Sequence, residues 1–314
     1  MLKYIGKRLL ISVATLWVIL TILFLLLELM PGSPFNDEKL NRDQKILLDQ
    51  KYGLDKPLPI RYSRYMQNIV FKGDFGDSYT IQKNYPVIEI INKRLAVSAR
   101  LGFQALLFGS IIGIVLGAIA AIYRNTIWDT MTTMFAVIGV SVPSYVFALG
   151  LSYFLGYKLS WFPFTYDIYS PIESSVLPTM ALAMFVVATV ARFMRTELVE
   201  VLGSDYILLA ETKGLTTTKV IARHSIRNAL IPVITVLGPL TVGLMTGSLV
   251  IERIFGIPGV GDLLVTAISV NDFNVIIAIS FFYSIFYIFM MLIIDVLYGV
   301  IDPRIRVTGG DSNG

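Results

Sequence analysis

Six apolar runs, residues 9–29, 101–122, 131–157, 176–194, 229–251 and 274–294, constrain this chain more than any other feature. The hydrocarbon core of a bilayer is about 30 Å thick, and a helix rising about 1.5 Å per residue crosses it in roughly 20 residues. Runs of this length predict an all-α integral membrane protein with six transmembrane helices. Composition agrees: 55% of the 314 residues are hydrophobic, 15% are charged and the mean hydropathy is +0.70, well above the range of soluble domains. With no cysteine and one histidine, disulfides and thiolate metal sites are excluded, and little is left for a zinc or acid/base centre.

An even number of spans puts both termini on one side, and the basic residues indicate which. Lys3, Lys7, Arg8, Arg124, Arg192, Arg195, Lys213, Lys219, Arg223, Arg227, Arg304 and Arg306 fall on one face, whereas the two short loops opposite hold only Lys158 and Arg253. Lys and Arg are retained in short cytoplasmic loops, so the expected orientation is N-in, C-in. The first run follows Lys3, Lys7 and Arg8 as a signal peptide would. Its 21 apolar residues exceed a signal core of about 7 to 15, and no small-x-small cleavage site follows, so it is expected to stay as a helix. The chain thus divides into an N-terminal transmembrane helix (1–30), an extracytoplasmic cap (31–100), a five-helix core (101–301) carrying a cytoplasmic loop (195–228), and a cytoplasmic tail (302–314).

The cap has helical punctuation of its own. EKLNRDQKILLDQKYG stops at Gly53, IRYSRYMQNIVFKG stops at Gly73, and PVIEIINKRLAVSAR leads from Pro86 into the second span. Its density of Tyr, Leu, Ile and Phe points to an ordered segment rather than a solvated linker.

Residues 204–232, SDYILLAETKGLTTTKVIARHSIRNALIP, form a polar island between two apolar runs. Ser204 reads as an N-cap, Asp205 as an acidic first turn, Lys213 as the basic last turn and Gly214 as the stop, the charge order that a helix dipole favours. A second helix, capped by Thr216, follows towards Pro232, giving a helix, turn, helix outside the bilayer. Leu208 and Leu209, with Ala210 beside them, are costly to expose, and suit either a docking face for another protein or a helix resting on lipid headgroups.

Other features bear on packing. Gly109, Gly113 and Gly117, and likewise Gly243 with Gly247, recur at small-xxx-small spacing and predict close helix approach, within the chain or at a seam between subunits. Pro143 and Pro239 are expected to interrupt their helices, and carbonyls freed at such breaks can line a pathway. Asp295 lies at a depth where it could pair with Arg192 or Arg195, all three also being placed to snorkel. His224 reads as a polar surface residue. GIPGVG at 256–261 lacks the Lys and hydroxyl of a phosphate loop, and no such loop occurs elsewhere, so the chain is not expected to hydrolyse ATP.

ARFMRTELVEVLGSDYILLAETKGLTTTKVIARHSIRNALIP resembles the cytoplasmic EAA loop of permease subunits in ATP-binding-cassette importers, whose central Ala and Gly correspond to Ala210 and Gly214. LLELMPGSPF, KYGLDKPLPIRYSRY, FKGDFGDSY, GSLVIERIFGIPGVGDLL and DVLYGVIDPRIR extend the resemblance, specifically to the oligopeptide, dipeptide and nickel branch, along nearly the whole chain. Leu208 and Leu209 stand where the general motif has Glu and its first Ala, as in the peptide branch. The resemblance implies a non-catalytic permease of the bacterial cell membrane that forms half of a translocation pathway with a homologous second permease. It also implies two ATPase subunits holding ATP and Mg²⁺, an extracytoplasmic peptide-binding protein, no cofactor in this chain and no nucleic acid. The ATPase-coupling residues it implies are Leu208, Leu209, Ala210, Glu211, Lys213, Gly214 and Leu215. Oligopeptides are the expected cargo, with dipeptides or a nickel complex as alternatives. A secondary transporter or channel would need ionisable residues at the membrane midplane for ion coupling, and the second, third and fifth runs contain no charged residue. An intramembrane enzyme would need a buried nucleophile and base, which the runs lack.

Overall fold

The computed structural model describes residues 2–29 and 41–301, and among them secondary structure is helical apart from one isolated antiparallel bridge between Asp77 and Pro86. The helices in chain order are α1 (Leu2–Leu29), α2 (Arg42–Tyr52), α3 (Leu58–Gln67), α4 (Val87–Ile122), α5 (Ile127–Ser141), α6 (Ser144–Leu151), α7 (Val176–Leu202), α8 (Asp205–Thr212), α9 (Thr217–Lys219), α10 (Ile226–Met245), α11 (Leu249–Phe255), α12 (Val260–Ser269) and α13 (Phe273–Ile301). Single π-helical turns continue α3 (Asn68–Lys72) and α6 (Ser152–Lys158) and join α9 to α10 (Val220–Ser225). Tail residues 302–314 lie outside the described residues.

Among the described residues five helices are long and apolar enough to cross a bilayer, or six if one bent pair is counted as a single span. The expected span at 131–157 is not a single helix: it is made of α5 and α6, inclined at 102°. Val142 is driven into an extended conformation (φ −83°, ψ 126°) by the proline ring that follows it, and Pro143 offers no N–H to continue the ladder. The fifth run also differs from expectation. Its helix continues from Val220 to Met245 through both Pro232 and Pro239, so Pro239 does not interrupt it, and residues 249–251 belong to the separate α11.

The chain forms two compact units. The first contains, of the described residues, 2–29, 41–97 and 258–288. Leu20, Phe24 and Leu27 lie on one face of α1 at helical spacing and are buried, as are Val87, Ile90 and Ile91 of α4 and Val275 to Ile279 of α13. The expected stops are observed, α2 ending before Gly53 and the turn after α3 before Gly73, and α4 begins directly after Pro86. A buried carboxylate ties this unit together. Asp272, fully buried, accepts hydrogen bonds from the Ser78 hydroxyl at 2.5 Å and from the backbone N–H groups of Tyr79, Thr80 and Ile81 at 3.2, 3.0 and 3.2 Å. Such charge is tolerable away from water only with this number of donors.

The second unit, residues 98–257 and 289–301 among those described, is built around α7. Val186, Val190, Met194 and Leu198 of α7 are buried with Ala121 of α4 and Ala229 and Val233 of α10. Small residues let neighbouring backbones approach. A Cβ on Gly109, Gly113 or Gly117 of α4 would lie 2.6, 2.7 or 2.5 Å from atoms of Val186, Val190 and Ala191 on α7, and one on Gly139 of α5 would lie 2.7 Å from the Ala188 Cβ.

Removing the Asp272 acceptor strands three backbone donors, each worth about 1–3 kcal/mol when left unsatisfied. Asp272→Ala is expected to lose about 3 kcal/mol or more of the first unit's stability and Asp272→Asn roughly half of that, measured as the thermal midpoint of purified protein in detergent.

Candidate functional site

The polar island at 204–232 folds onto the base of α10. Ser204 accepts the N–H of Ile207 through its carbonyl at 3.0 Å, as a capping residue does, but its hydroxyl donates backwards to the Val201 carbonyl at 2.5 Å and caps nothing. Ile207 is buried against the turn that holds buried Val220 and Ser225, and the Asn228 amide donates to the Tyr206 hydroxyl at 3.0 Å, pinning α8 to α10. The opposite face is open: Leu208 and Leu209 are 61% and 55% exposed and Leu215 38%.

Gly214 takes φ +80°, and the Leu215 N–H reaches the Ala210 carbonyl at 3.3 Å. This is the 6→1 bond of a Schellman ending, with Lys213 as the cap residue and Gly214 in the left-handed position after it. A Cβ on Gly214 would meet nothing within 4 Å, so the demand for glycine is conformational rather than steric. Lys213 is exposed beside it, whereas the side chain of Glu211 lies outside the described residues. The second helix of the island does not stop near Pro232. A turn at Thr217–Lys219 passes through the π-helical turn into α10, so the island's base is continuous with a membrane-length helix.

A second feature lies in the same unit. The bend at Pro143 opens a cavity of about 480 Å³ lined by Gly139, Ser144, Phe147, Phe185, Pro239 and Gly243 among others. Proline cannot donate to the carbonyl four residues earlier, that of Gly139, at this lining. Gly243 faces open space and Gly247, at φ +88° beyond the end of α10, is not on that helix. The two therefore form no helical ladder, because the turn after Met245 separates them.

At the start of α5, Asp129 receives both Arg195 Nε at 2.5 Å and Nη2 at 2.8 Å, a bidentate pair that fastens α5 to α7. Asp295, placed by the sequence at a depth to pair with Arg192 or Arg195 or to snorkel, has its side chain outside the described residues. Asp129 was missed because a single acid after TIW in a short loop reads as a helix dipole residue; its i+66 partner has no local signal. Also missed was Glu252, buried and accepting from the Ser98 hydroxyl at 2.7 Å. His224 is exposed.

A β-carbon at φ +80° costs about 1 kcal/mol or more, and least for Asn. Gly214→Val is expected to loosen the turn and raise trypsin cleavage at Lys213 several-fold without changing membrane insertion, while Gly214→Asn stays close to the parent. Limited proteolysis of membranes measures this.

Residues 113–307 match the family described as binding-protein-dependent transport system inner membrane component, and residues 1–102 match the N-terminal region of such membrane components. The dipeptide transport system permease protein DppB of Lactococcus lactis subsp. cremoris is 42% identical over 307 residues, covering 98% of this chain and 100% of that protein. DppB of Bacillus subtilis is 42% identical over 98% of this chain and 99% of its own length, and the oligopeptide transport system permease protein OppB of Salmonella typhimurium is 38% identical over 98% and 100%. Two solved structures share the fold. An amino acid ABC transporter with histidines has a TM-score of 0.52 at 17% identity, covering 67% of this chain and 92% of its own. The inward-facing MetNI methionine ABC transporter has a TM-score of 0.52 at 14% identity, covering 67% and 97%. With its family match spanning most of the chain and its fold shared with transporter membrane subunits, this protein belongs to the inner membrane components of binding-protein-dependent transport systems, and is a multi-pass permease subunit of the bacterial inner membrane.

Proposed function

We propose that this chain is the permease of an ATP-driven peptide importer, in which it forms half of the translocation pathway with a homologous second permease. Both termini and α8 face the cytosol, and residues 31–100 face outwards. Two ATPase subunits hold ATP and Mg²⁺ and supply the energy, since this chain has no phosphate loop. An extracytoplasmic binding protein delivers the peptide. Peptide cargo is supported by the DppB and OppB relatives aligned over 98% of the chain.

One observation carries the coupling role: α8 presents two exposed leucines beside a glycine-terminated end, while its opposite face is anchored to the turn at Val220–Ser225 through Ile207 and to α10 through Tyr206. A helix held rigidly on one side and apolar on the other is suited to sit in a groove of a cytosolic partner and pass its displacement into α10. Leu208, Leu209 and Ala210 form the contact, with Leu215 beside it, Gly214 setting the turn, and Glu211 and Lys213 at the rim. The cavity at the α5–α6 bend then serves as this subunit's share of the pathway, where backbone and Ser144 supply generic polar groups to a peptide.

Desolvating the two leucines is worth about 3 to 5 kcal/mol before ordering costs, whereas each rim charge adds under about 1 kcal/mol. Leu209→Asp is expected to release the ATPase from the purified complex and abolish ATP-driven uptake. Lys213→Ala should change mainly the salt dependence of assembly. A stoichiometric ATPase and normal uptake in both Leu208→Asp and Leu209→Asp would reduce α8 to a headgroup anchor.

A further inference from the structure

In the first unit a cavity of about 160 Å³ lies between α1, α3, the turn at 74–79 and α13. Phe24, Phe75 and Phe273 supply its apolar walls, and Tyr65 lines it too. A void of about 150 Å³ admits a benzene-sized group, so this one takes a single side chain and not a whole peptide.

Its polar groups sort by what they already hold. Glu28 is occupied by Arg61, which donates to it through Nη1 at 2.7 Å and Nη2 at 2.5 Å. The Tyr79 hydroxyl donates to Asn274 Oδ1 at 3.2 Å, and Asp74 accepts from the Gly76 N–H at 2.8 Å. The Tyr65 hydroxyl is buried and has no hydrogen-bond partner among the described residues. Burial pushes its phenol well above the usual tyrosine range, so it keeps its proton and is a donor. Lys56 and Arg64, exposed at the lining, have no ion pair among the described residues. The uncommitted groups at its lining are thus a buried donor and two exposed cations, around an aromatic space sized for one side chain. A buried hydroxyl left alone is a liability that a docking carboxylate removes.

We propose that this cavity receives one acidic side chain of the extracytoplasmic binding protein, its carboxylate seated on the Tyr65 hydroxyl and flanked by Arg64 and Lys56, its methylenes against the phenylalanines. The proposal rests on the reading that residues 31–100 face that binding protein.

The test titrates the system's own binding protein onto the complete transporter in nanodiscs. Tyr65→Phe is expected to weaken docking at least fivefold while leaving the unfolding temperature equal or higher, because the change deletes only an unpaired hydroxyl. Arg64→Glu should weaken docking more than tenfold, and Lys56→Glu severalfold, each with reduced salt dependence. Unchanged docking in Tyr65→Phe and Arg64→Glu overturns the proposal and leaves the cavity to water. Weaker binding of free peptide in Tyr65→Phe, with docking of the binding protein unchanged, also overturns it and assigns the cavity to cargo. Labelling of Ser63→Cys, the only thiol in this chain, with an impermeant maleimide separates the two readings. Protection by the binding protein with unaffected variants sinks the cavity proposal alone, whereas no protection sinks the reading of the cap as well.

Discussion

Hydrocarbon offers no partner to a backbone N–H or C=O, and nearly everything in this protein follows from that. Its long elements are helices because a helix satisfies its own ladder. Where the ladder is interrupted, the structure turns the interruption into something else. The proline at 143 inclines α5 and α6 at 102° and lines a cavity, while Pro232 and Pro239 are absorbed within α10. Before Pro143 the chain leaves the helix at Val142, which is extended, whereas α10 continues through Pro232 and Pro239 as one helix.

In a medium that gives helices no hydrophobic reason to associate, close backbone approach and polar pairing hold them. The second unit uses both. Glycines on α4 and α5 bring those helices against α7, and the Asp129 and Arg195 pair adds an anchor at one end of α5. α7 is in turn packed on α10 through Met194, Leu198, Ala229 and Val233, and α8 hangs from α10 through Tyr206 and Asn228. A push on α8 therefore has a continuous route of packed side chains into the helices that line the cavity.

Much of this was legible in the residues because the signals were local and strong. Apolar runs marked the membrane helices, glycines at 53, 73 and 214 marked helix ends, and the leucine pair at 208 and 209 marked an exposed face. What escaped were features decided by distance or by a neighbour. Spacing alone paired Gly243 with Gly247, yet the end of α10 at Met245 separates them. Asp129 finds Arg195 and Asp272 gathers the 78–81 turn across separations that no periodicity reports. The open hydroxyl of Tyr65 was equally invisible, since a tyrosine in an amphipathic helix normally keeps its oxygen wet.

The exposed leucine face of α8 is proposed to sit in a groove of a cytosolic ATPase. A chain with no cysteine allows it to be tested directly: a single cysteine at position 208 or 209 carrying a short photo-crosslinker, activated in membranes that contain the whole transporter. The account predicts one adduct joining this chain to an ATPase subunit, its yield changing between nucleotide-free and ATP-bound states. Adducts only to lipid, at both positions and in both states, would contradict it.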